Sequence, residues 1–406
     1  MSRDAGELGP PARSEGEGGW DGRVERRRRP RRFRRVIGRL GDGRGPLLVV
    51  TGGMHGNEPG GVLALERVVA NLEERGIVPR GRLLALAGNL PALEMGMRYL
   101  DLDLNRMWTP DQIAAARASS ARSREERQLV DLWSAIQRDL EGAEGPVHFL
   151  DLHSTSAEGA PFALMGDTLP NRRLAFAMGL PVILGLEENV DGTLLSWFGE
   201  QGHVAVGVEG GQHDDESTTR HQEATVWVAL ETLGLVDASA MTWIEEQRRV
   251  LRRASAGLPT VVAVELRHGI TREDRFRMVP GYVNFDAVER GEVLAHDREG
   301  PVRAAFKGNI LLPLYQGQGS DGFFLGRPVR RFWLGLSRVV RAMRLERFLT
   351  ALPGVRRDPD RPDALLVDRR VARLFALDLF HLFGYWRLGE QGDLLRVARR
   401  RERPGE

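Results

Sequence analysis

The chain has 406 residues, 42% hydrophobic and 28% charged, with 58 basic against 56 acidic side chains and a formal net charge of +2. Those values exclude a wholly disordered, collagen-like or membrane-embedded chain. The absence of cysteine excludes a disulfide framework, a thiolate nucleophile and cysteine-ligated zinc, so any metal must be held by histidine and carboxylate. Lys307 is the only lysine, which nearly removes Schiff-base chemistry as well.

The chain opens with a segment rich in Gly, Pro, Arg and acidic residues that has almost nothing to bury. Its densest charge run is RVERRRRPRRFRR, Arg23 to Arg35. Such a run reads as a solvated, disordered arm, here residues 1–40. Its alternative reading is a contact for an anionic partner, nucleic acid or lipid headgroups. No apolar segment follows the basic residues as in a secretory signal. The longest apolar stretch, Leu174 to Leu186, is interrupted by Pro181 and falls short of the ~20 residues of a transmembrane span. A cytoplasmic chain with no transmembrane segment is expected.

From Gly45 the pattern becomes alternating strand and helix. PLLVV (Pro46 to Val50) reads as a buried strand and VLALERVVANLEERG as a helix with a proline near its start and Gly76 at its stop. RLLALAGN (Arg82 to Asn89), PVHFLDLHS (Pro146 to Ser154) and HVAVGVEGG (His203 to Gly211) read as further strands. SREERQLVDLWSAIQRDL (Ser123 to Leu140) and ATVWVALETLGL (Ala224 to Leu235) read as helices. The alternation predicts an α/β catalytic domain over 41–245. After Gly257, short strands separated by Gly, Pro and Asp turns predict a small β domain over 257–328. Two basic amphipathic stretches, RFWLGLSRVVRAMRLERFL and RRVARLFALDLFHLFGYW, predict a helical C-terminal extension over 329–406. Their aromatic stripes suit a core or a homo-oligomer interface.

Four segments carry chemistry. In GGMHGNEPGG, His55 and Glu58 lie three apart on the turn from a buried strand into a helix, at the carboxyl end of a strand where open α/β sheets place their sites. In FLDLHST, His153 closes a strand with Asp151 two residues earlier on the same face. A structural, hydrogen-bonded histidine is the plainer reading. As a third ligand it would complete a His-Glu-His set, the three-ligand arrangement of catalytic zinc, with Asp151 orienting the imidazole or merely capping a turn. In VGVEGGQH, Glu209 ends an apolar strand; it reads as a general base or as a salt-bridged structural residue. His213, four residues on, takes no role. In MRYLDLDLNRMW, Arg98, Asn105 and Arg106 suggest grip on a carboxylate, or surface pairing with Asp101 and Asp103.

At these segments the chain resembles the succinylglutamate desuccinylase/aspartoacylase family of zinc amidohydrolases, related to carboxypeptidases, over roughly residues 45–325. The order G-x-H-G-N-E, R-Y-x-x-x-D-L-N-R, D-L-H and V-E-G-G carries the resemblance. It implies an α/β fold with a carboxypeptidase-like mixed sheet flanked by helices, and one zinc ion per chain held by His55, Glu58 and His153. It further implies Glu209 as general base, Arg98 on the scissile carbonyl, and Asn105 and Arg106 on the substrate carboxylate. The chain departs from aspartoacylase where LLSWFGEQGHVAVG offers no arginine before the glutamate, and Tyr315 does not align well enough to take the substrate tyrosine's role. Both gaps argue against N-acetylaspartate. The expected function is hydrolysis of the amide of a small N-acylated, carboxylate-bearing amino acid or similar amine. The rivals are a metallocarboxypeptidase acting on peptides or peptidoglycan stems, and a non-catalytic binding protein using the basic arm.

Overall fold

The computed structural model describes residues 32–118, 123–237, 243–361, 363–368, 370–371, 380 and 382–400. The chain begins with β1 (Val36–Leu40), β2 (Leu47–Gly52), α1 (Gly60–Glu74), β3 (Arg82–Ala87), α2 (Leu90–Met95), α3 (Pro110–Ala118), α4 (Arg124–Glu141) and β4 (Val147–Thr155). It continues through β5 (Phe162–Met165), α5 (Leu169–Ala177), β6 (Val182–Leu184), α6 (Leu194–Glu200), β7 (Val204–Gln212), α7 (Glu216–Thr232) and α8 (Ile244–Ala254). Next come β8 (Val261–Gly269), β9 (Arg277–Met278), β10 (Ala287–Val288), β11 (Val293–Asp297), β12 (Gly300–Arg303), β13 (Gly308–Leu311) and β14 (Asp321–Pro328). The last elements are α9 (Arg331–Ala342), β15 (Val355–Arg357), β16 (Ala364–Asp368), β17 (Tyr385–Gln391) and β18 (Leu394–Arg399).

Eleven strands form one mixed sheet in the order β1-β3-β2-β4-β7-β5-β6-β8-β14-β13-β10. Its centre, β3-β2-β4-β7, is parallel, so the carboxyl ends of β2, β4 and β7 lie along one edge. These strands are buried along nearly their whole length because both faces are covered, with polar residues towards their carboxyl ends. Successive residues of β2 divide between two cores: Leu48 and Val50 pack with α1 and α7, while Leu47 and Val49 pack with α4 and α6. The helix α1 follows Pro59, which occupies the cap position, and the chain turns away at Gly76 with φ of 64°.

Three sequence expectations are corrected here. Residues 1–31 of the expected arm lie outside the described residues, but Val36–Leu40 is an edge strand antiparallel to β3, not part of a solvated arm. The Arg35 side chain at the end of the arginine run is half-buried and donates to the carbonyls of Ala87 and Gly88 and to Gln128. Burial lowers its pKa to about 10. The stretch 257–328 does not close on itself: β8 pairs with β6, and β14, β13 and β10 extend the main sheet. Only β9, β11 and β12 form a separate sheet.

The extension beyond 329 is not helical throughout. Its helix ends at Ala342, two residues before Arg344 adopts a left-handed φ of 52°. A four-stranded antiparallel sheet, β15-β16-β18-β17, follows. Most of the second expected helix lies outside the described residues, and its end, Tyr385 and Trp386, is the start of β17. The two-residue Gly392–Asp393 connection fixes a β17–β18 hairpin, with Gly392 at φ 60°.

Candidate active site

The site forms where β2, β4 and β7 end. The loop between β2 and α1 brings down His55 and Glu58, and β4 supplies Asp151 and His153. Gly56 lets this loop lie against α2, because a Cβ there would sit 2.0 Å from the Ala92 carbonyl carbon. His153 and Glu209 are register partners on adjacent parallel strands, so the sheet itself sets their spacing.

Glu58 lies between two imidazoles. One carboxylate oxygen is 2.8 Å from His55 Nδ1 and the other 3.0 Å from His153 Nδ1. The opposite nitrogen of each ring meets another carboxylate: His55 Nε2 lies 3.1 Å from Asp103 and His153 Nε2 lies 2.7 Å from Asp151. Asp151 is held in turn by the Thr51 hydroxyl at 2.5 Å. With Asp103 and Asp151 accepting from Nε2–H, Nδ1 of each ring faces the Glu58 carboxylate, where a proton sits in the absence of a cation and a lone pair would serve a bound one. His55, Glu58 and His153 are buried and offer ligand atoms within 4.8 Å of one another. The donor set, one carboxylate and two backed imidazoles with no thiolate, suits a divalent cation such as zinc.

The electrostatics agree with that geometry. Burial alone would raise the Glu58 carboxyl, but His55 and His153 offset it and hold it well below its usual range. Burial would lower His153, but Asp151 and Glu58 push it well above its usual value. The Asp103 carboxyl is likewise held down against burial by His55, Arg98 and Arg106. Glu209 differs: burial dominates, His153 and Arg98 oppose it only in part, and its pKa rises to about 8. Its Oε2 is buried with no hydrogen-bond partner.

All seven predicted site residues line one cavity of about 570 Å³. Arg98 lies 3.7 Å from Glu58 and bonds Asp103 at 3.1 Å. Asn105 approaches His153 Nε2 at 3.3 Å through its amide nitrogen and accepts from Leu194 N at 2.9 Å. Arg106 donates to the Asn105 carbonyl at 2.9 Å and lies 3.7 Å from Asp321. His213, given no role from sequence, lines the same cavity, joined to Ser154 at 2.8 Å and Gln316 at 3.2 Å. Tyr315 is not among the lining residues; its hydroxyl donates to backbone carbonyls of Val279 and Tyr282.

Two positioning residues escaped the sequence reading. Asp103 joins His55, Arg98 and the Asn105 backbone, although its neighbourhood suggested surface pairing. Glu125 is fully buried and accepts from Leu100 N, Asp101 N, Leu102 N and Asn89, fixing the segment that carries Arg98 to Arg106. Its signal was the paired Glu125–Glu126. Glu126 completes the capping box with Ser123, leaving Glu125 to turn inward.

The match to known proteins falls on this same region. Residues 44–228 match the succinylglutamate desuccinylase/aspartoacylase catalytic domain. The matches support the succinylglutamate desuccinylase/aspartoacylase family for this region. A succinylglutamate desuccinylase of Erwinia tasmaniensis is 29% identical over 273 residues, 63% of this chain and 75% of the relative. One from Pseudomonas fluorescens is 41% identical over 64 residues, covering 16% of this chain and only 19% of the relative. A crystal structure of a family member from Rhodobacter sphaeroides shares the fold, with a TM-score of 0.54 at 20% identity over 73% of this chain and 88% of that one. The family match ends before β8, so the C-terminal sheet lies outside it.

Proposed function

We propose that this chain is a metal-dependent deacylase that hydrolyses the amide bond of a small N-acylated, carboxylate-bearing amino acid. The observation that carries this reading is Glu58 between two inward-facing Nδ1 atoms, with the unpartnered oxygen of Glu209 on the neighbouring strand. His55, Glu58 and His153 would hold one zinc ion per chain. Bound there, zinc would supply Lewis-acid polarisation and a water nucleophile at neutral pH.

The chain's own groups do the rest. Glu209, with its pKa raised to about 8, takes up a proton readily near neutrality. It receives the proton of the attacking water and returns it to the leaving amine. Positive charge beside it draws that value down towards the working pH. Arg98 stabilises the charge that develops on the carbonyl oxygen. The Asn105 carbonyl oxygen is held at α6 by Leu194 N, which leaves its amide N–H groups to join the Arg106 fork on the substrate carboxylate.

The chain spans no more than a quarter of the length of several curated desuccinylases it matches, so desuccinylation itself is a proposal here. A panel of N-acyl amino acids beside longer peptides, on the zinc-loaded chain, tests the reading. Turnover of the free N-acyl amino acids and not of the peptides is expected; the reverse favours the carboxypeptidase rival. The cytoplasm as location, and a second copy packed on α9, where Phe332, Trp333 and Met343 are exposed, are proposals too. Sedimentation tests the second.

A further inference from the structure

The cavity does not end at the catalytic groups. Along β7, alternate residues share a face, so Glu209, Gly207 and Ala205 point the same way. Glu209 and Ala205 both line the cavity, which therefore follows the strand for four residues, about 13 Å. Between them, the missing side chain at Gly207 lets Leu164 and Leu195 sink onto the sheet; a Cβ there would lie 2.7 Å and 2.9 Å from their methyl carbons. Both leucines line the cavity, as do Met165 and Trp197.

The far wall comes from the C-terminal sheet. Trp386 of β17, with Arg399 and Arg400 at the end of β18, lines the same cavity as His55 and His153. This sheet is fastened to the catalytic body. Arg400 pairs with Glu187 at 2.5 Å and lies over the Trp386 ring at 5.0 Å, and the backbone N–H of Arg387 donates to Glu188 at 3.2 Å. The cations at this end are engaged: Arg400 by Glu187, Arg399 by Glu346 at 2.5 Å, and Arg361 by Asp363 at 3.2 Å. A carboxylate arriving there would meet Glu187 and Asp363 beside each guanidinium. Arg400 lies against Gly166, just beyond Met165, the register partner of Val206, so this end sits three residues along β7 from Glu209.

We propose that this slot is an acyl-chain subsite, closed by Trp386 of the C-terminal sheet, and that the substrates are amino acids N-acylated with medium-length aliphatic or aryl groups. The proposal deepens the deacylase reading and rests on it for the reaction, while its geometry stands by itself. With Arg106 holding the amino-acid carboxylate, the acyl group is the part that faces the slot. At about 1.3 Å per carbon for a zigzag of single bonds near 1.5 Å, 13 Å admits a chain of up to about ten carbons. A short dicarboxylic acyl group would leave the slot unfilled and, among the described residues lining its end, meet only cations already paired with carboxylates.

Calorimetry on the full zinc-loaded chain with octanoate, acetate and succinate reads the slot without any turnover. Octanoate is expected to bind at least tenfold more tightly than either. Trp386→Ala, checked for folding by circular dichroism, should weaken octanoate about tenfold and acetate not at all, and Ala205→Leu should shorten the preferred chain. Equal binding of the three acids, or octanoate binding indifferent to both substitutions, overturns the proposal. In kinetics with one amine, kcat/KM should rise about fourfold per added methylene until the slot is filled. Hydrolysis of N-acetyl substrates with no gain from chain length sinks the slot alone. Tight, Trp386-dependent octanoate binding with no hydrolysis of any N-acyl amino acid supports the slot and sinks the deacylase reading.

Discussion

Glu58 is the residue around which the site is organised, and its neighbours explain why a metal-free chain would already hold its shape. Two imidazoles face it through Nδ1, and two further carboxylates, Asp103 and Asp151, fix the outer nitrogens. Outer carboxylates of this kind set the tautomer and raise ligand basicity. Asp151→Asn and Asp103→Asn are each expected to weaken zinc binding about 10- to 100-fold, read by competition with a chelating dye. Asp103→Asn should also loosen Arg98, whose guanidinium it holds at 3.1 Å, and so lower kcat as well. Unchanged zinc affinity in both variants would remove the assigned roles. The ligand set was legible because His55, Glu58 and His153 sit at strand ends in a recognisable order. Asp103 was not, because a carboxylate among arginines looks the same in sequence whether it pairs on a surface or backs a ligand.

At the scale of elements, Asp167 ties the helix α9 to the catalytic body, beside the contacts that Glu187 and Glu188 make with the sheet after it. Asp167, just after β5, pairs with Arg172 at 2.5 Å and with Arg341 of α9 at 2.6 Å. Burial would raise its pKa, but Arg341 and Arg172 offset this and hold it at about 2. A carboxyl whose folded pKa lies below its unfolded value of about 3.9 stabilises the fold above that value. That stability is lost as pH falls from there through the folded pKa, so the window is roughly pH 4 to 2. Asp167→Asn should cost on the order of 3 kcal/mol at neutral pH by leaving buried arginines unpaired. It should also flatten the stability profile in that acid window, as measured by urea unfolding at stepped pH; a variant profile parallel to wild type would contradict the clamp.

The same elements show where sequence reading stopped. The β2, β4 and β7 strands were plain because each opens on a short run rich in branched apolar residues and ends near glycine or a polar turn. The strands β16 and β18 hid beside aromatic, arginine-rich segments with helical spacing, although Leu394–Arg399 alternates and Gly392–Asp393 marks a hairpin. Local pattern also could not say that β8 and β14 would join the main sheet, since that pairing is made by residues far apart in the chain.

For the whole molecule, the arginine excess at the chain's ends is partly structural. Arg35 closes the β3 edge, and Arg341, Arg399 and Arg400 pin the C-terminal sheet beside the cavity. Among the described residues, no helix is long and apolar enough to cross a membrane. A site built from three separate strand ends couples metal binding to the sheet as a whole. Zinc at a hundred times its Kd is expected to stabilise the chain by about 2.7 kcal/mol, and a chelator to lower Tm by the corresponding amount. A Tm indifferent to chelation would mean that no ion is held by this site.

In the proposed reaction Glu209 is the group that moves the proton. The most direct test is kcat/KM of the zinc-loaded Glu209→Gln variant on the best N-acyl amino acid, with metal content measured on the same sample. A loss of about 10²- to 10⁴-fold with full zinc occupancy is predicted. Wild-type turnover at full occupancy would contradict it.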